Sequence, residues 1–436
     1  MAGTPLARNR DFLILWSGEA VSALGTSMSM LVFPLIGYAI TGSPALAGLA
    51  TTAVLLGDVV ARLPAGALVD RWPRGRVLLL ANLLGVACYG SLAIATLAGV
   101  LTMAHLVGIG FLSGVTDSFV APASSAAVRT VVAEADLPVA YSQLQLRRHA
   151  ADLVGPPLGG ALYSVARGLP FLLDTVSYAV AALSITRLRA PLPAPAAVAG
   201  RTVGGDVAEG LRFVWRHGVI RAILLWGAAI NFSVTMVLVT VTLRLVRDGV
   251  HPSAIGLVDS IAAVAGVLGA LAAPVIIART RTGTTTAVTT LLLAAVVVPI
   301  AWTDSVPLIG ALLAVGFFLL PSNNSGISAY LVTVTPDRLQ GRVNSAGGFI
   351  AGGVQPLAPA LAGVLVGSAG GRLATLTGAA LVALSLVPLL ASSAIRNLGR
   401  PGSWAAAQLP VDHGRPVELA TELDAAPVRP DTDRPD

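Results

Sequence analysis

The sequence predicts an all-α membrane protein with twelve transmembrane helices in two pseudo-symmetric six-helix bundles. Of the 436 residues, 55% are hydrophobic, and the mean hydropathy is +0.80. Only 11% are charged, against about 25% in soluble domains, which is too little to cover a water-soluble protein of this length. The apolar runs are long and lack the two-residue alternation of strands, so they indicate helices.

Twelve apolar segments are long enough to cross a bilayer, which needs about 20 residues each. They cover residues 12–40, 44–68, 76–98, 101–128, 139–163, 168–187, 219–245, 252–277, 283–302, 307–332, 341–367 and 372–396. The 46 glycines and 28 prolines fit membrane helices, in which small residues permit close packing.

The arginines between these segments predict their orientation. With the N-terminus inside, inner segments hold 18 arginines and outer segments only four, namely Arg167, Arg244, Arg247 and Arg372. Because basic residues accumulate in cytoplasmic loops, both termini are expected in the cytoplasm of a bacterial cell. This topology also accounts for the pI of about 10.2, so we expect no nucleic-acid partner.

The expected domain organisation follows from the same pattern. Residues 1–187 form one bundle and 219–396 a second. Residues 188–218 form a cytoplasmic linker with a short amphipathic helix, and 397–436 a disordered acidic tail. Pro122-Ala-Ser-Ser is similar to Pro321-Ser-Asn-Asn about half a chain later. Such repetition is typical of transporters that bind substrate between their halves.

Several other functions are disfavoured. The chain has no lysine, which excludes a P-loop and direct use of ATP. The five histidines and the single cysteine, Cys88, lack metal-ligand spacing, and no nucleophile–base set stands out. We therefore expect neither a metal, nor a cofactor, nor an enzymatic activity.

A motif stands between the second and third segments: Gly66-Ala-Leu-Val-Asp70-Arg71-Trp-Pro-Arg74-Gly-Arg76. It resembles the G-x-x-x-D-R-x-G-R-R loop of the major facilitator superfamily, although Pro73 and Gly75 depart from that pattern. The resemblance implies the major facilitator fold and a cytoplasmic latch that holds the two halves together. Gly66 is expected to permit close helix approach, and Asp70 to cap a helix or pair with an arginine.

More of the chain resembles the enterobactin-exporter-like and macrolide-efflux-like branch of that superfamily. The similar segments are 8–16, 209–217 and Gly155-Pro-Pro-Leu-Gly-Gly160, in which Gly155, Pro156, Gly159 and Gly160 resemble the antiporter motif. The resemblance implies a cytoplasmic-membrane efflux carrier that exchanges a small amphipathic molecule for protons by alternating access. The fourth segment lacks the central arginine of many such relatives, so their coupling route cannot simply be transferred.

Acids inside the spans are the candidate proton or substrate sites, because a charge at mid-membrane costs several kcal/mol. Asp58 lies near the middle of the second span with Arg62 at i+4, so it is either a structural ion pair or a proton carrier. Glu19, Asp117 and Asp259 are further candidates. Asp152 is expected to pair with Arg148, whereas capping or packing is expected for Asp174.

Uncharged polar residues are candidates of a second kind. Asn323 and Asn324 follow Pro321 in the tenth span, which suggests irregular backbone lining a cavity, with helix–helix bonding as the alternative. The expected partners are a small-molecule substrate such as a drug, antibiotic or siderophore, protons and the lipid bilayer, and the expected state is a monomer. Proton-coupled uptake and a non-transporting receptor of the same fold remain alternatives.

Overall fold

The computed structural model describes residues 6–69, 71–192, 211–335, 337–391, 398–400 and 404. These residues form the fifteen α-helices named below, a further helical segment at 211–216 and two short 3₁₀ turns, Leu6–Arg8 and Glu134–Asp136. The first six helices are α1 Arg10–Thr41, α2 Pro44–Val69, α3 Arg74–Leu97, α4 Met103–Val131, α5 Leu137–Val165 and α6 Leu169–Thr186. The others are α7 Gly218–Arg247, α8 Pro252–Arg279, α9 Thr282–Ile300, α10 Val306–Phe317, α11 Leu320–Val334, α12 Asp337–Gly353, α13 Leu357–Ser368, α14 Gly370–Leu384 and α15 Val387–Ala391.

Eleven spans in the described part of the chain are long and apolar enough to cross a membrane. The all-helical membrane fold is therefore confirmed, and the boundaries predicted for the first ten spans agree with the helices within three residues. The fifth predicted span, α5, has the necessary length but is too polar to be counted among the eleven. Its polarity comes from one stretch of charged residues, 147–152.

Three of the later spans are interrupted. The tenth consists of α10 and α11, separated by a turn at Phe318 and Leu319, and the eleventh consists of α12 and α13, separated at 354–356. The twelfth consists of α14 and α15, separated at 385–386. The interruption of the tenth span packs closely against α8. A Cβ at Gly269 of α8 would lie 1.8 Å from the carbonyl oxygen of Phe318. The irregular backbone expected beside Pro321 is therefore present.

Both ends of α1 are capped, and its C-terminal cap sets the pairing of α1 with α2. Asn9 caps α1 by accepting a hydrogen bond from the Phe12 amide at 3.1 Å. At the other end, Gly42 adopts the left-handed conformation, with φ of 64°, and its amide bonds the Tyr38 carbonyl. This termination lets α2 start two residues later and run back beside α1.

We call the side of the membrane where α1 begins the near side, and the opposite side the far side. Three of the four arginines predicted to lie outside are bound at far-side helix ends. Arg244 donates to the Ile300 carbonyl at the end of α9 (2.7 Å), and Arg247 donates to the Val366 carbonyl near the end of α13 (2.7 Å). Arg372 lies 4.4 Å from the ring centroid of Trp302. These cations are favourable there because the carbonyl ends of helices carry partial negative charge.

The N-terminal half (α1–α6) and the C-terminal half (α7–α15) meet mainly towards the far side. A Cβ at Gly160 of α5 would lie 2.3 Å from the Pro252 carbonyl oxygen of α8, and a Cβ at Gly48 of α2 would lie 2.2 Å from the Pro359 oxygen of α13. The two interfaces are related by the pseudo-symmetry of the halves. Backbone-to-backbone approach of this kind requires glycine.

Near-side helix ends bond within their own half. Asn9 donates to the Val131 carbonyl at 2.7 Å, and the Trp16 indole donates to the Gln143 carbonyl at 3.3 Å. All four of these residues belong to the N-terminal half. With the far side closed by α5–α8 and α2–α13, the arrangement is one that opens towards the near side.

Candidate functional site

Glu19 is the most enclosed of the four acids predicted as proton or substrate sites. It is 4% exposed and lies nine residues into α1, about 13 Å from the start of the helix. Its Oε2 accepts hydrogen bonds from Ser124 Oγ of α4 (2.5 Å) and Arg147 Nη1 of α5 (2.6 Å). The structure thus joins Glu19 to an arginine that the sequence analysis had not assigned to it.

This ion pair is incompletely satisfied. Glu19 Oε1 and Arg147 Nε are both buried and make no hydrogen bond with described residues. A buried polar atom without a partner costs free energy, so this site favours an additional donor or acceptor. A water molecule or a polar group of a substrate would supply one.

Asp58 and Arg62 form the ion pair that their spacing predicted. The pair is partly accessible, with side-chain exposures of 29% for Asp58 and 44% for Arg62. Arg62 reaches the C-terminal half, because a Cβ at Gly352 of α12 would lie 3.0 Å from its Nη1. The pair therefore lies between the two halves, beside the break between α12 and α13.

Asp117 has a different environment, without an arginine. Its Oδ1 accepts a hydrogen bond from the Tyr178 hydroxyl of α6 at 2.5 Å, and Thr26 of α1 lies 3.1 Å from the same hydroxyl. The packing of α4 against α2 sets its position, because Gly114, one turn earlier, lies against the backbone of Val54 and Asp58. Sequence analysis had identified Asp117 but not Tyr178.

Asp259 lies on α8 beside the interface between the halves. The adjacent Ser260 donates to the Leu153 carbonyl of α5 at 2.7 Å, whereas Asp259 itself has no ion pair or hydrogen bond within the described ranges. It is partly exposed. This places an unpaired carboxyl next to the junction of α5 and α8.

Asn323 and Asn324 face in different directions. Asn323 is buried in α11 and accepts a hydrogen bond from Thr286 Oγ1 of α9 at 2.7 Å, so helix–helix bonding is the alternative that holds for it. Asn324 is exposed. Only Asn324 therefore remains a candidate for contact with a substrate.

A polar stripe on α5 went unrecognised as a site. Gln145, Arg148, His149 and Asp152 recur at i, i+3, i+4 and i+7, and all four are exposed. Charged side chains in a spanning helix are too costly to face lipid, so this face borders an aqueous space. This helical spacing of polar residues can be read from the sequence. The expected Asp152–Arg148 ion pair is not formed in the described part of the chain.

Among the described residues of the gate motif, the hydrogen bonds of Arg74 stay within the N-terminal half. Arg74 donates to Thr130 Oγ1 at 2.9 Å and to the Ala126 carbonyl at 3.2 Å, both on α4. Arg71 and Arg76 are exposed, and Asp70 lies outside the described residues. The close approach expected at Gly66 is not present in this conformation, since a Cβ there would meet open space. Among the described residues, no atom outside the local helix backbone lies within 4 Å of that position.

The glycine–proline run of α5 is a packing surface. A Cβ at Gly155 would lie 2.4 Å from Ser27 Oγ, and one at Gly159 would lie 2.6 Å from the Met28 carbonyl oxygen, so both glycines fit against α1. Pro156 and Gly160 face α8 instead. The run thus fixes α5 between α1 and the C-terminal half.

Comparison with known proteins establishes the family. The sequence profile described as Major Facilitator Superfamily matches residues 15–350. The chain belongs to the major facilitator superfamily. It is therefore a multi-pass membrane transporter of small molecules.

Two relatives from mycobacteria cover most of the chain. One, from Mycolicibacterium fortuitum, is named Multidrug efflux pump Tap and is 28% identical over 401 residues, which is 89% of this chain and 95% of that protein. The protein of the same name from Mycobacterium tuberculosis (strain ATCC 25618 / H37Rv) is 27% identical over 378 residues, or 83% of this chain and 88% of that protein.

Solved structures with the same fold include two transporters in inward-facing states. A bacterial homologue of the iron transporter ferroportin aligns with a TM-score of 0.69 at 16% identity, covering 89% of this chain and 99% of that one. A bacterial homologue of the human lysosomal transporter Spinster aligns with a TM-score of 0.64 at 14% identity, covering 90% and 97%. At these identities the likeness concerns the fold.

Proposed function

We propose that this protein is a drug efflux pump of the bacterial cytoplasmic membrane that exports small amphipathic molecules in exchange for protons. The observation that carries the proposal is the similarity, over more than four fifths of the chain, to two proteins named multidrug efflux pumps. On this proposal the near side is the cytoplasm and both termini are cytoplasmic. Eighteen arginines in inner segments against four in outer segments support that orientation.

The substrate enters from the cytoplasm into the space between the halves. Its walls carry charges of both signs: the Asp58–Arg62 pair, the stripe on α5 and Asp259. Asn324 adds an uncharged hydrogen-bonding group. A cationic group on the drug would compete with Arg62 for Asp58, while its apolar body would rest on the surrounding helices. Such mixed surfaces suit amphipathic substrates of varied shape.

Alternating access requires the far-side interfaces to open when the near side closes. The glycine contacts at α5–α8 and α2–α13 are the closed gate of the present state. In the other state, Arg71, Arg74 and Arg76 with Asp70 would latch the near side, and the open space at Gly66 would be filled by the C-terminal half. The halves then act as two rigid bundles around a central site, and one chain is sufficient, as in a monomer.

The proton is expected at a carboxyl that has no arginine partner. Glu19 and Asp58 are neutralised by Arg147 and Arg62, so they already have a counter-charge. Neither Asp117 nor Asp259 has one among the described residues. Protonation of such an acid removes its desolvation cost and thereby biases the equilibrium between the two conformations.

Inside-out membrane vesicles test this function. Energised vesicles are given a panel of lipophilic cations, antibiotics and siderophores, and uptake is measured with and without a protonophore. We expect uptake of at least one compound, its loss on adding the protonophore, and a reduction of about tenfold in Asp58→Asn. Glu134→Gln, which neutralises an acid in a loop outside the spans, serves as the matched control.

Two results would contradict the proposal. Accumulation only in right-side-out vesicles would indicate uptake. Saturable binding without flux in either orientation would indicate a receptor.

A further inference from the structure

A carboxyl that the proposed function does not use lies fully buried in the N-terminal half. Asp174, five residues into α6, is 0% exposed. Its Oδ1 accepts a hydrogen bond from Ser177 Oγ at 2.9 Å. The equally buried hydroxyl of Ser29 on α1 faces the same carboxyl and interacts with it. Two serine hydroxyls, and no charged group, therefore surround this carboxyl among the described residues.

The site is continuous with Asp117. Tyr178 follows Asp174 by one helical turn and donates its hydroxyl to Asp117, while its ring stacks on Tyr89 with centroids 5.4 Å apart. Glycines provide the room for this arrangement. A Cβ at Gly25 would lie 2.3 Å from Asp174 Oδ1, and a Cβ at Gly85 would lie 2.4 Å from the Tyr178 ring. Helices α1, α3, α4 and α6 thus enclose two carboxyls and the phenol between them.

The titratable groups around the two acids are themselves acidic. Tyr178 and Tyr89 of α3 lie near both Asp117 and Asp174. Asp58 and Cys88 lie near Asp117. Within the described ranges, neither Asp117 nor Asp174 forms an ion pair with an arginine or a histidine. Two carboxylates close together in a largely buried site without a cation are strongly unfavourable, and a bound proton removes that cost.

We propose that Asp117 and Asp174, bridged by Tyr178, form the site that binds the exchanged proton, apart from the charges that contact the drug. The proposal rests on the proton-coupled efflux proposed above and names its carrier. A carboxylate oxygen takes up one proton from the far side and releases the same proton towards the near side. No electron is transferred, and Tyr178 can pass the proton because its hydroxyl both donates and accepts.

Three carboxyls on α2, α4 and α6 decrease in exposure with distance from the proposed drug site. The Asp58 side chain on α2 is 29% exposed, Asp117 on α4 is partly exposed and Asp174 on α6 is fully buried. Asp174 lies only about 8 Å from the far-side start of α6, from its position in the helix. The carboxyls therefore span the distance between the closed far side and the open cavity.

Proton release on drug binding tests the assignment. The purified full-length protein in detergent, at low buffer concentration with a soluble pH dye, is titrated with the best drug from the vesicle panel. We expect the wild type to release protons, Asp174→Asn and Asp117→Asn to release at least about fivefold less, and Glu134→Gln to match the wild type. Drug fluorescence in the same samples verifies that each variant still folds and binds.

A second variant keeps the assignment testable if Asp174→Asn does not fold. Tyr178→Phe retains both carboxyls and the ring packing, and we expect it to release protons with a displaced pH midpoint. Undiminished release from Asp174→Asn, an unchanged midpoint in Tyr178→Phe, or drug binding that responds to sodium in place of pH would overturn the proposal. If the wild type itself releases no proton and its efflux survives a protonophore, the proposed proton coupling fails as well.

Discussion

At the scale of single residues, the structure separates the acids by their partners, which the sequence could not do. Glu19 and Asp58 have arginines, Asp117 has a tyrosine, and Asp259 has no partner in the described chain. Residues with a charge inside a span can be found from hydropathy alone. Their partners cannot, except for Arg62 at i+4, because Arg147 is 128 residues from Glu19 and only the tertiary fold brings them together.

The Glu19–Arg147 pair yields a stability prediction. Removing either partner leaves a buried, uncompensated charge, which costs about 3–5 kcal/mol, whereas removing both leaves none. We expect Glu19→Ala and Arg147→Ala each to lower the thermal midpoint in detergent by several degrees, and the double variant to recover part of that loss. Thermal unfolding followed by a thiol-reactive dye on Cys88, which is buried in the folded state, measures this. Additive losses in the double variant would contradict a direct pair.

At the scale of helices, apolar length and arginine placement predict nearly all boundaries, since a bilayer imposes both. Proline did not predict the interruptions reliably. Pro156 and Pro157 lie within the continuous α5, whereas Pro321 and Pro356 lie beside breaks. The difference depends on neighbouring helices that satisfy the freed backbone groups, and that information is not local. The charged residues of α5 likewise need the tertiary structure for their explanation, because only the structure shows that they lie on one exposed face of the helix.

The contact between α5 and α8 yields a second prediction. A valine at Gly160 would collide with the Pro252 carbonyl oxygen and push the far-side interface apart. We expect Gly160→Val to abolish drug uptake by inside-out vesicles, with the protein still inserted in the membrane. Gly266→Val on α8 is the matched control, because a Cβ there meets open space, and it should transport normally. Equal transport by both variants would show that the contact is not part of the gate.

At the scale of the whole molecule, the two-bundle carrier was predictable because internal repetition, orientation and the gate motif all agreed. The conformation was not, since one sequence encodes both the inward-open and outward-open states. Far-side glycine contacts are formed, and the described hydrogen bonds of the gate motif, those of Arg74, stay within its own half. In this conformation the substrate would enter from the near side. The proposed proton site lies inside the N-terminal half.

The most direct test of drug–proton exchange is a simultaneous measurement of both fluxes in proteoliposomes. Inside-out oriented protein is given an acidic lumen that contains a pH dye, and a transported fluorescent drug is added outside. We expect the drug to accumulate in the lumen above its external concentration while the lumen becomes less acidic, and we expect both changes to vanish without the proton gradient. Drug accumulation of the same size with no gradient and no change in lumenal pH would contradict it.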